Sequence, residues 1–295
     1  MRRFILLCVV SFGASLLYAQ ENVTIVAPTS EAAEGLDLTA VSELFKDAKD
    51  LEEFEKRLND PETGINNLDL DENGEVDYIR IVEEVAEDTH IIILQVPLGE
   101  NEFQDVATIE VEKADDDNYN MQVRGNEVIY GPDYYVTPTV VHIHVWPIIP
   151  WIYRPVYRPY RSVFYWGFYP TWWRPYHPVT VHVYRTRTVH YTTHRTFTVR
   201  KTGVVHSTAK VHYQPRSSTL VKKKTTVVHT PGSTTVKRTT KRTNAAGKTT
   251  TVKSGVKRTR NSETGETKVT RKAKKTTKTK EGKTTTTVKR TRKKD

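Results

Sequence analysis

An α+β fold is expected for the first half of this chain because the hydrophobic period changes along it. Apolar residues recur every three or four positions from Leu38 to Leu58, and about every two positions in several runs from Val76 onward. Charge is sorted as well. Residues 21–140 carry 7 Lys+Arg against 31 Asp+Glu, a balance of −24. Residues 141–200 carry 8 against 0, and residues 201–295 carry 28 against 4, a balance of +24. Such asymmetry points to an acidic domain with a basic interaction tail. The expected architecture is a helix packed on an antiparallel sheet, then an aromatic, proline-rich β-hairpin, then a disordered basic tail.

Residues 1–19 have the form of a signal peptide: Arg2 and Arg3 precede a short apolar run, and Ala19 is a small residue where a peptidase can cut. Export to the periplasm, outer membrane or surface of a Gram-negative bacterium is expected. Leu7 stands before Cys8 where a lipoprotein signal needs a small residue, so no lipid anchor is expected. Cleavage would remove the one cysteine, and with it any disulfide, thiol nucleophile or thiolate metal site. A flexible segment, residues 20–36, follows.

Residues 37–135 form the acidic α+β domain. Leu38, Val41, Leu44, Phe45, Ala48, Leu51, Phe54 and Leu58 place one apolar stripe on a single helix, with Pro61 and Gly64 beyond its end. Strands are expected over Val76–Val82, His90–Val96, Val106–Val111 and Tyr119–Tyr130, the last folded by a two-residue turn at Gly125-Asn126. Ile91 to Leu94 is apolar on both faces and is expected in the middle of the sheet.

Residues 136–200 contain all five tryptophans, between Trp146 and Trp173, among prolines and arginines. The flanks "VVHIHVW" and "VTVHVY" mirror one another and predict paired strands, with Val141, Ile143 and Val145 on one and Val179, Val181 and Val183 on the other. Prolines at 147, 150, 155 and 159 exclude a transmembrane helix of about 20 residues. Residues 201–295 are Thr, Lys, Arg, Ser and Val, with an approximate repeat of Thr-rich arms around turns ending in glycine. With so little apolar surface to offset chain entropy, this tail is expected to be disordered alone, with transient hairpins at best.

Four constellations are candidate sites. In "LDLDENGEVDYIRI", Asp69, Asp71, Asn73 and Asp77 fall on calcium-loop positions with Gly74 at the sharp turn, and Glu75 adds a further carboxylate. Arg80 stands where an EF-hand needs a bidentate glutamate, and a strand follows rather than a helix. The same letters suit a three-residue hairpin loop, with Glu72 and Asn73 in a type I turn and Gly74 left-handed. The two readings can coexist, and a bound calcium would be structural. His142, His144 and His182 would share one face of the aromatic hairpin and could take a transition metal, although no carboxylate in that segment could orient them. Trp151, Tyr153, Trp172 and Trp173 suit stacking on sugars or bases, a membrane interface, or a compact aromatic core.

The tail bears the fourth constellation. Lys222, Lys223, Lys224, Lys237 and Arg238, with Arg258, Lys274, Lys275, Lys289 and Arg290, form a polycation that binds polyanions by counterion release. Partners of this chemistry are anionic envelope polymers, an anionic membrane surface or extracellular DNA. The alternative is intramolecular neutralisation of the acidic domain. The chain shows no nucleophile elbow, phosphate loop or HExxH, so a non-enzymatic protein is expected, with no cofactor beyond calcium. The other functions weighed are a calcium- or metal-binding module whose tail only tunes solubility or self-association, and an extracellular nucleic-acid binder.

From "GLDLTAVSELF" through "GINNLDLDENGEVDYIRIVEE" to "EFQDVATIEVEK", residues 35–113 resemble a group of exported proteins of Gram-negative bacteria. The resemblance implies export and a single domain, with no activity to carry over. Asp-Gly also occurs in that group where this chain has Asn73-Gly74, which leaves the calcium option open. The loop itself resembles the Asp-x-Asp-x-Asn-Gly calcium loops of FG-GAP repeats in β-propellers more than an EF-hand.

Overall fold

The computed structural model describes residues 33–115, 118–140, 142–205, 217–230, 232–261 and 264–294. The signal peptide expected at 1–19, and residues 20–32 of the flexible segment, lie outside the described residues. The fold is α+β and mostly antiparallel sheet. A six-stranded sheet runs in chain order: β1 (Arg80–Ala86), β2 (Thr89–Gly99), β3 (Glu102–Lys113), β4 (Tyr119–Gly125), β5 (Tyr135–Pro138) and β6 (Phe197–Arg200). Beside it stands a five-stranded sheet, β7 (Thr219–Thr230), β8 (Ser233–Asn244), β9 (Thr249–Arg260), β10 (Thr267–Lys278) and β11 (Lys283–Lys294), also in chain order.

The single helix expected over 38–58 is two, α1 (Leu38–Lys46) and α2 (Leu51–Asn59). Asp50 is the reason: its carboxylate accepts the Glu53 N–H at 2.7 Å, capping a new helix start. The apolar stripe survives the break, because Phe45 and Phe54 meet edge-on with centroids 5.4 Å apart inside one core. β2 is buried from Thr89 to Leu98, so the Ile91–Leu94 run packs on both faces as its composition requires. The expected turn at Gly125-Asn126 is instead a helix start. Asn126 accepts the Val128 N–H at 2.9 Å and caps α3 (Glu127–Tyr130). Gly125 is demanded by packing, since a Cβ there would stand 2.6 Å from the Tyr130 ring.

Residues 136–200 do not form the expected hairpin. Val141 lies outside the described residues, Ile148–Ile152 is helix α4, and Val181–Thr192 is helix α5. The β-branched residues of α5 favour strand, and tertiary contacts override them. Thr180 caps the helix, Tyr184 and Thr188 are buried, and the Tyr184 hydroxyl accepts from Asp37 N at 2.7 Å while donating to Ile65 O at 2.8 Å. The segment leaves β5, wraps the β1 edge of the sheet, and returns as β6 beside β5. Ile143, Trp146, Ile148, Ile149 and Ile152 join the same core as α1 and α2.

Two buried carboxylates hold this wrap. Glu83 accepts from Tyr157 Oη at 2.5 Å and Tyr160 N at 2.6 Å, and contacts His90 Nδ1 at 2.7 Å. Glu55 accepts from Ser162 Oγ at 2.6 Å, Tyr78 Oη at 2.7 Å, Tyr160 Oη at 3.1 Å and Ile81 N at 3.3 Å. The edge strand is thereby covered rather than left as a template for another chain.

Burial pushes the Glu55 carboxyl above its ordinary value, and its four donors only partly pull it back. A raised acid gives its full contribution to stability below the ordinary value of 4.5 and loses it as pH rises through the folded value. Urea denaturation of the full chain and of Glu55→Gln across this range should show the wild type losing stability relative to the variant as pH rises. A difference independent of pH would show that Glu55 does not titrate this way.

Candidate polyanion interface

Thr and Val are β-branched and suit strands, and glycines close the turns between them. Gly232, Gly247 and Gly265 adopt φ of 72°, 76° and 71°, the left-handed conformation that only glycine takes readily. Asn244 accepts the Lys248 N–H at 3.0 Å and tightens the β8–β9 turn. The turns expected at Gly247, Gly265 and Gly282 are therefore present, but they join strands of twelve residues in a five-stranded sheet, not a disordered tail. The registers run from end to end without a bulge.

Directly opposite residues share a face, so the register sorts the charges. One face carries Lys237 and Lys241 of β8, Lys253 and Lys257 of β9, and Lys268, Lys272, Lys274 and Lys278 of β10. Among the described side chains, Lys222 of β7 and Lys283 and Lys289 of β11 complete it, and every one of these is exposed. Threonines interleave with them. The sheet's six arginines with described side chains, Arg238, Arg242, Arg258, Arg260, Arg271 and Arg290, are all on the other face, with Val221, Val236, Val252, Val256, Val269 and Val288.

The basic residues expected to act as one patch therefore divide. Lys222, Lys237, Lys274 and Lys289 belong to the lysine face; Arg238, Arg258, Lys275 and Arg290 belong to the arginine face. The side chains of Lys223 and Lys224 lie outside the description. Adjacent Lys-Arg pairs such as Lys237-Arg238 and Lys257-Arg258 carried this signal, because a period of two sends neighbours to opposite faces.

The arginine face meets the acidic domain at its β7–β8 end. Val221 is buried in the common core, and its N–H donates to Gln104 Oε1 at 2.9 Å. Arg242 donates to Glu102 Oε2 at 2.5 Å and to Leu98 O at 2.9 Å, and Thr240 donates to Glu72. A cavity of about 490 Å³ alongside is lined by Glu34, Asn67, Asp69, Glu72, Arg238 and Ser254. Burial raises the Glu102 carboxyl, but hydrogen bonds from Arg242, Asn244 and Thr219 outweigh it, and the net direction is down.

In the acidic loop, one carboxylate oxygen each of Asp69, Asp71 and Asp77 lie within 4.8 Å of one another. Backbone amides also use these groups: Leu70 N donates to Asp77 Oδ2 at 2.5 Å, Gly74 N to Asp69 Oδ2 at 3.2 Å and Asn73 N to Asp71 Oδ1 at 3.0 Å. Asn73 Oδ1 accepts from Glu75 N at 2.7 Å, and Glu75 is exposed and outside the convergent trio. Gly74 is left-handed as expected, with φ 90°, but Glu72 is too, with φ 60°, so the type I turn does not form. The loop is not flanked by a ladder either. Val76 N donates to Tyr176 O and Asp77 N to Leu68 O, and the expected strand at Val76–Val82 begins only at Arg80.

The histidine and aromatic candidates separate. His142 and His144 have rings 5.8 Å apart on an irregular segment, whereas His182 is on α5, so the three do not gather once the hairpin is absent. Trp173 is buried against Tyr78 and Tyr169, and Trp151 and Tyr153 are half-buried, Trp151 under the Arg154 guanidinium at 4.2 Å. Trp172 is exposed; so are Tyr165, Trp166 and Phe168, which lie at a tight turn closed by the Tyr165–Phe168 bridge and were not singled out from the sequence.

A lowered acid contributes stability above its ordinary value of 4.5 and loses it as pH falls through the folded value. Arg242→Gln should therefore cost roughly 0.5–1 kcal/mol of unfolding free energy near neutrality, and the cost should vanish in acid. Urea titrations of both forms at the two pH values check this.

Comparison of the chain with family models, curated proteins and solved structures finds no match.

Proposed function

We propose that this is a non-enzymatic, exported envelope or surface protein of a Gram-negative bacterium that binds anionic polymers through its five-stranded sheet. One observation carries the reading. The five strands hold 3, 4, 4, 6 and 6 Lys+Arg in turn and no Asp or Glu. A cation array of this density gains from releasing counterions when a polyanion lies on it. The N-terminal signal-like segment and the resemblance of residues 35–113 to exported Gram-negative proteins support the location. The acidic domain engages part of the arginine face through Glu102 and Glu72, which leaves the lysine face exposed.

The test is binding of the full chain to an anionic polymer and to its neutral counterpart across a salt series. With roughly 6–10 anionic groups engaged, affinity should fall by about 10³–10⁵ between roughly 50 and 200 mM salt. Equal binding to the neutral polymer, or a flat salt response, rejects the reading.

The convergence of Asp69, Asp71 and Asp77 favours a second reading, a calcium-stabilised module whose tail only tunes solubility or self-association. On that reading about 1 mM calcium raises the melting temperature of the full chain, and Asp71→Asn removes the rise. An unchanged melting curve would eliminate it.

A further inference from the structure

The lysine face has one position without a side chain. Gly255 pairs with Lys237 on β8 and Lys272 on β10, and Lys253 and Lys257 stand two residues to either side along β9. Its four nearest neighbours on this face are thus all lysines, opposite Cα atoms being about 4.5–5.5 Å apart and same-face neighbours along a strand roughly 6.8 Å. Thr235, Thr239, Thr270 and Lys274 occupy the corners. The four ringing lysines are exposed. A Cβ built on Gly255 would meet only the Val236 carbonyl, at 3.7 Å, so the backbone does not require glycine here.

We propose that this lysine-ringed hollow seats an anionic group of a linear acidic polysaccharide lying on the sheet, an inference that rests on the polyanion reading above. Four ammonium groups around an open floor concentrate positive potential at one point, which an anion approaching the backbone would relieve. The surrounding chemistry selects the polymer. Among the described residues, the lysine face offers no arginine fork for bidentate phosphate contacts and no aromatic ring on which a base could stack. It offers threonine hydroxyls, each a donor and an acceptor, between point charges. Alternating hydroxyls and carboxylates along a polyuronate match that alternation.

Polygalacturonate, duplex DNA and anionic phospholipid vesicles serve as probes with the full chain at one fixed salt concentration. Wild type should bind polygalacturonate most tightly. Gly255→Val fills the hollow with a strand-favouring side chain and should weaken that binding at least tenfold without lowering the melting temperature. If that variant fails to fold, Lys253→Gln/Lys272→Gln carries the same expectation. Arg260→Gln/Arg271→Gln, on the opposite face, should stay within about twofold. Wild-type affinity in both hollow variants, loss of binding in the arginine pair, or preference for DNA or vesicles overturns the proposal while leaving polyanion binding intact. Failure of wild type to bind any of the three overturns the polyanion reading itself.

Discussion

Strand register is the constraint on which the outer half of this molecule depends. Side chains alternate with a period of two, so a slip of one residue between any pair of the five strands would send lysines among the arginines and valines. Turns with left-handed glycines at 232, 247 and 265 oppose such slips, and all four pairings run without a bulge. The sheet buries little of its own. Val227, Val256 and Val288 are exposed, and among the described side chains of the sheet deep burial is confined to Thr219, Val221 and Thr240 near the acidic domain. Ladder hydrogen bonds and β-branched cross-strand pairs hold the remainder, each pair contributing a few tenths of a kcal/mol to about 1 kcal/mol.

Carboxylates do three different jobs in the acidic half, and burial decides which. Glu55 and Glu83 are buried and satisfied by hydroxyl and amide donors, so they fasten the aromatic wrap to β1 and α2. Glu72 and Glu102 reach the second sheet through Thr240 and Arg242. Asp69, Asp71 and Asp77 converge in a loop whose backbone amides already use several of their oxygens. Summed charge alone treats these groups as equivalent, and the two roles weighed for the tail as exclusive. With two faces on one sheet, neutralisation of the acidic domain and an open cationic surface become properties of opposite sides.

The aromatic segment follows the same logic of covering. Tyrosines at 153, 157, 160, 176 and 184 bury their rings and give their hydroxyls to backbone carbonyls or buried carboxylates. Each ring removes apolar surface from water while its polar end stays paired, the arrangement that suits Tyr to a partly buried seam. The prolines spaced through the segment fit a chain that follows the protein surface without regular ladders.

Composition and period alone determined the α+β class, the acidic and basic division, the doubly buried β2 strand and the glycine turns, because each depends on local chemistry repeated over many residues. The break at Asp47–Asp50 was also latent there, in an aspartate three residues before Glu53. Tertiary structure decided the rest. Val181–Thr192 is a helix because the Tyr184 hydroxyl finds buried partners in the Asp37 N–H that opens α1 and in the Ile65 carbonyl, contacts more than a hundred residues away in the chain. The histidines separated and the tryptophans sank or surfaced according to a path around β1 that no local pattern encodes. The lysine hollow at Gly255 needed three strands in register before it existed, and register is a relation between distant segments that a linear pattern can permit but not specify.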